Sequence, residues 1–104
     1  MDFSKQTLSA LEKAQADYRN RLATRADELE QLWSQAAAGD ADASVQLLAQ
    51  LHRLGGSAGM YDLAQLGLLA KSAHSCCKAQ GAAHDDALAI RQQLISTMQS
   101  LAAS

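Results

Sequence analysis

Two groups of residues in this 104-residue chain have types and spacings that suit chemistry. One is a histidine beside glycines, Leu51-His52-Arg53-Leu54-Gly55-Gly56-Ser57-Ala58-Gly59, and the other is His74-Ser75-Cys76-Cys77. On a helix turning ~100° per residue, Leu47, Leu51, Leu54 and Ala58 fall on one stripe. Val45, Leu48, Ala49, His52, Gly55, Gly56 and Gly59 gather on the other side, with His52 near the middle. Imidazole is a competent nucleophile near neutral pH because its unprotonated form is well populated, but it needs access. Gly55 and Gly56, one turn later, remove side chains that would crowd an incoming surface, and Val45, Leu48 and Ala49 supply a shallow apolar rim. Glycines inside a helix cost ~0.5–1 kcal/mol each relative to alanine, so a reason other than helix stability is expected for them.

The second group invites a metal reading, since thiolate and imidazole suit zinc or copper. The spacing argues against it. Cys77 falls on the apolar stripe of its helix, and no second Cys/His pair completes four ligands, so no metal site is expected. Adjacent cysteines rarely pair, because the ring they would close is strained, and they suit a reducing compartment. His84 reads as a solvent-exposed residue at the start of the last helix, and Tyr18 and Trp33 as core.

These residues must be positioned by helices. Leu8, Leu11, Tyr18, Leu22, Ala26, Leu29, Trp33 and Ala36 trace a stripe from near residue 5 to about 38, with Ser4 as cap and Phe3 against Leu8 as a staple. The pattern allows either one continuous helix or a break around residues 15 to 20 that splits off a short N-terminal helix. Asp40 caps the second helix, which Gly59 stops. Asp62 and Gln65 resemble a capping box opening a third helix with Leu63, Leu66, Ala70, Ala73 and Cys77 on one face, closed at Gln80-Gly81. Asp85 and Asp86 open the last, whose stripe is Ala87, Ile90, Leu94, Met98 and Leu101. Short connections force antiparallel neighbours, so the expected fold is an all-α, up-and-down four-helix bundle occupying residues 1–104 as a single domain.

Composition agrees: no proline, heavy use of Ala, Leu, Gln and Glu, and room for one core. The net charge is −2 with signs interspersed, so no basic run offers the footprint that nucleic acid requires. No apolar stretch approaches the ~20 residues that cross a bilayer, and Met1-Asp2-Phe3-Ser4-Lys5 lacks the layout of a signal peptide. The cytoplasm is the expected location. A slim bundle with its histidine facing outward offers no pocket for an oxyanion stabiliser and base, so an enzyme is not expected. His52 reads instead as a phosphoacceptor presented to another protein's active site.

The run from His52 to Gly59, with Leu66 further along, resembles the signature of histidine-containing phosphotransfer (HPt) domains, in which His-x-Leu-Lys-Gly-Ser-Ala surrounds the phosphorylated histidine. The resemblance covers the whole chain in helix order and length. It implies that His52 is phosphorylated, that Gly56 clears the approach, and that Ser57 and Ala58 pack the helix end. The chain departs from the pattern at Gly55, where the family carries a lysine, leaving Arg53 and Lys71 as candidate cations. It departs again at Asp62, where glycine is frequent. The implied mechanism is a relay: a monomer that takes a phosphoryl group from the aspartate of one receiver domain, in a response regulator or hybrid sensor kinase, and gives it to another. Mg²⁺ would sit on the partner, with no cofactor on this chain. Leu68, off the core stripe of its helix, would widen the docking patch if it borders Val45, Leu48 and Ala49. Met1 favours a free-standing chain over a piece of a hybrid kinase. The alternatives are a helical interaction module that docks without phosphotransfer, and a metal or redox bundle built on His74, Cys76 and Cys77.

Overall fold

The computed structural model describes residues 3–104, with side chains from Ser9 onward. Four helices follow in order: α1 (Phe3–Ala37), α2 (Ala41–Met60), α3 (Ala64–Gln80) and α4 (Asp85–Ala103). Each packs on its neighbours, α1 on α2, α2 on α3, α3 on α4 and α4 on α1, while among the described residues the backbones of the diagonal pairs stay apart. With connections spanning only 38–40, 61–63 and 81–84, this is the expected antiparallel four-helix bundle. Among the described residues, no helix is long and apolar enough to cross a membrane.

α1 is continuous through residues 15–20, which removes the option of a separate short N-terminal helix. The Ser4 cap and the Phe3–Leu8 staple concern side chains outside the described residues. The stripe is core from Tyr18 to Ala36, whereas Leu11, expected on it, is 56% exposed. The reason is length. At 35 residues α1 outruns the 20-residue α2, so its first turns have no helix to pack against.

The bundle interior holds Leu22, Trp33, Leu47, Leu51, Leu66, Leu94 and Met98, all fully buried. Trp33 is satisfied there, its indole N–H donating to the Ala82 carbonyl at 3.1 Å and tying α1 to the α3–α4 connection. Ile95 is buried as well, adding to the expected α4 stripe. Leu63, Ile90 and Leu101 are half-buried against this core.

The helix ends carry two corrections. Asp40 caps α2 as expected, its carboxylate accepting from Ala43 N–H at 3.0 Å. Gly59, however, does not stop α2, which continues to Met60. Nor does Asp62 open α3 as a capping residue: it has φ 62°, and the residue before Ala64 is Leu63, which makes no side-chain cap. Asp62 instead ends α2. The Leu63 N–H reaches back to Ala58 O at 2.8 Å and the Asp62 N–H to Gly59 O at 3.4 Å, the two bonds of a Schellman ending around one left-handed residue. Gly81, at φ 94°, ends α3. His84 is exposed and caps α4 itself, Nδ1 accepting from Asp86 N–H at 3.1 Å.

Candidate functional site

α2 and α3 cross where both have almost no side chain. A Cβ built on Gly67 of α3 would lie 3.2 Å from the Gly55 carbonyl oxygen and 3.7 Å from Gly59 N, so at this level the two backbones touch directly. One turn nearer the middle of α2, a Cβ on Gly55 would lie 3.0 Å from Lys71 Cγ and 3.6 Å from its Cε. One turn further, the His52 and His74 rings sit 5.9 Å apart between centroids, tilted by 53°. The pairs 59 with 67, 55 with 71 and 52 with 74 share one antiparallel register. His52 thus faces solvent with α3 flanking one side of it.

The glycines around His52 fall into two kinds. Gly55 is buried under Lys71, and its lack of a side chain serves the packing of α2 on α3. Gly56 and Gly59 are exposed, and a Cβ on either would meet nothing within 4 Å. Among the described residues, no contact calls for glycine at these two positions.

Ser57 does more than pack the helix end. Its hydroxyl pairs with the Tyr18 hydroxyl at 2.7 Å, and Tyr18 stacks on Tyr61 with centroids 4.4 Å apart. Arg25 lies over the Tyr18 ring, 5.8 Å from its centroid. This cluster fixes the C-terminal end of α2 against α1 and so sets the height of the glycine face. Ala58 is fully buried.

Val45 is 68% exposed, Ala49 and Arg53 are exposed, and Leu48 is half-buried, so they surround His52 on the outer surface of α2. Leu68 is 64% exposed, but the register sets it level with the Gly59 end of α2, ~20 Å along the axis from Val45 at 1.5 Å per residue. It lines a shallow depression with Gln65, Leu69 and Ser72. Met60, 83% exposed at the end of α2, escaped the sequence pattern.

Charge is uneven across the bundle. α2 and α3 carry Arg53, Lys71 and Lys78 against the single acid Asp42, while most other acids lie on α1 and α4. Among the described residues no carboxylate pairs with Lys71. The face around His52 therefore suits an acidic partner surface.

His74 takes its place beside His52 rather than in a metal cluster with its sequence neighbours. No group of three or more His, Cys, Asp or Glu that could hold a metal lies together among the described residues. Cys77 is buried, which pushes its thiol up to about 11, with a smaller push from the neighbouring Cys76. Near neutral pH it stays a thiol and is a poor ligand and nucleophile.

No curated protein and no solved structure is matched by the chain. The profile of the Hpt domain family, by contrast, matches residues 7–104, all four helices and the entire His52 face, and the chain belongs to that family.

Proposed function

We propose that this protein carries a phosphoryl group on His52 between the aspartates of receiver domains in a multistep His-Asp relay. Hpt domains are phosphocarrier modules of such relays. The observation that carries the assignment to His52 is its exposure next to Gly56, where even a methyl group would meet no other part of the bundle among the described residues. In the step itself, the Nε2 lone pair attacks phosphorus in line with the bond to the aspartyl oxygen. The N–P bond forms, the P–O bond breaks, and the carboxylate leaves with the electron pair, its charge met by the partner's own Mg²⁺. The Nδ1 proton stays on the ring. Run backward toward a second aspartate, the same step releases the group.

Val45, Leu48 and Ala49 form the apolar rim of the docking face, Arg53 gives it positive charge, and Gly56 and Gly59 keep it flat. We assign the protein to the cytoplasm, as a monomer that needs no cofactor of its own. A His52→Gln variant, folded by circular dichroism, is incubated with a phosphorylated receiver and is expected to take up no acid-labile label. Labelling at the wild-type level would remove His52 as the acceptor. Binding of the receiver by the wild-type protein with no transfer at all would favour the docking module without phosphotransfer.

A further inference from the structure

The relay reading leaves one chemical need unmet, and Gly55 is the reason. A phosphoryl group on a solvent-facing imidazole carries nearly two negative charges, and a cation held beside it stabilises both its arrival and its retention. Gly55, one turn from His52 and on the same face, carries no side chain to provide one. The space that a residue at this position would fill is already taken: Lys71 of α3 lays its stem there, with Cγ 3.0 Å and Cε 3.6 Å from where a Cβ would stand. Even a Cβ at 55 would press on Lys71 in its observed conformation.

We infer that Lys71 supplies from α3 the cation that holds the phosphoryl group on His52, and that Gly55 exists to let it through. Three observations converge on Lys71. Its stem emerges over α2 one turn from His52, in the register that also brings His74 against the acceptor ring. Lys71 is exposed and has no carboxylate partner among the described residues, so its charge is free to meet an incoming anion. Arg53, the other nearby cation, points a further ~100° around α2, away from α3. Gly55 and Lys71 are thus two halves of one arrangement, in which the cation has moved from the acceptor's own helix to its neighbour.

The inference rests on His52 being the acceptor, and the test separates the two. Phosphoramidate, a small donor, phosphorylates the protein without any partner surface. Lys71→Met keeps the stem over Gly55 and removes only the charge. Its phosphorylation rate is expected to fall about tenfold, the ratio one lost charge-assisted hydrogen bond gives. The second ionisation of the phosphoryl group, followed by its ³¹P shift, is expected to move to higher pH, because the cation that favoured the dianion is gone. Lys71→Arg should retain the wild-type rate, and Gly55→Lys combined with Lys71→Ala, which clears the stem from above position 55, should recover most of it. A Lys71→Met protein with wild-type rate and wild-type ³¹P titration would overturn the role of Lys71, while the His52→Gln control, labelled or not, reports on the acceptor alone. Equal loss in Lys71→Arg would also overturn it, since a charge would then not be what matters.

Discussion

Gly56→Ala should make the protein more stable, and Gly56→Leu should make it a poorer acceptor from receivers. Gly56 lies inside α2, four residues from its end, in ordinary helical conformation with open space where a Cβ would be. Alanine there incurs no clash and recovers the helix propensity that glycine forfeits, about 1 kcal/mol. For a domain of this size that raises Tm by roughly 4–8 °C. Gly55→Ala is the internal contrast, because its methyl group would press on Lys71 Cγ at 3.0 Å and part of the same gain is spent moving that side chain. At position 56 the cost is functional. Residues four apart on a helix have Cβ atoms ~5–6 Å apart, so leucine there stands beside the His52 ring on the face a partner must cover. Transfer from a phosphorylated receiver should drop by about tenfold or more, while labelling by phosphoramidate, which needs no docking, should stay near wild type. Thermal melts followed by circular dichroism and the two labelling assays decide it. Unchanged receiver-dependent transfer in Gly56→Leu would refute the docking argument, and so would an equal loss with both donors, which would mean that Gly56 acts on the imidazole and not on the partner.

Two further outcomes follow from features away from His52. Asp62→Gly should stabilise the fold by about 0.5–1 kcal/mol, since the left-handed φ of 62° that ends α2 strains any residue with a Cβ; a lowered urea midpoint would contradict this. Cys77 holds its proton more tightly when folded, so its contribution is fully present below pH 9.0 and is lost as pH rises toward about 11, by at most roughly 3 kcal/mol. Urea titrations across that range should show a steeper loss in the wild type than in Cys77→Ala, and identical slopes would remove burial of the thiol as the cause.

Periodicity was enough to read the bundle and the face that carries His52, because each helix buries one stripe and Leu47, Leu51, Leu66, Leu94 and Met98 repeat at helical spacing. What periodicity does not contain is the offset between helices. His74 adjoins two cysteines in the chain, yet its ring lies near that of His52; only the pairing of Gly59 with Gly67 and of Gly55 with Lys71 fixes the register that brings it there. Leu11 repeats at the right spacing, but a stripe does not say how far the partner helix extends. Asp62 with Gln65 has the spacing of a capping box, while the demand that decides its conformation comes from the preceding helix, whose last carbonyls need a left-handed residue to close on. Local signals for the end of one helix and the start of the next overlap when only three residues separate them.

The meeting of α2 and α3 backbone to backbone at Gly55 and Gly67 has a consequence for how the protein is recognised. The exposed strip of α2 that follows His52, at Gly56 and Gly59, has no side chains and so no rotamers to freeze on association. A partner covering it therefore loses little of its binding energy to ordering this side of the contact, and meets a shape already set before encounter. Such a surface does not adapt to one partner. It offers the same stiff platform to whichever receiver arrives, which suits a carrier that must be left as readily as it is met.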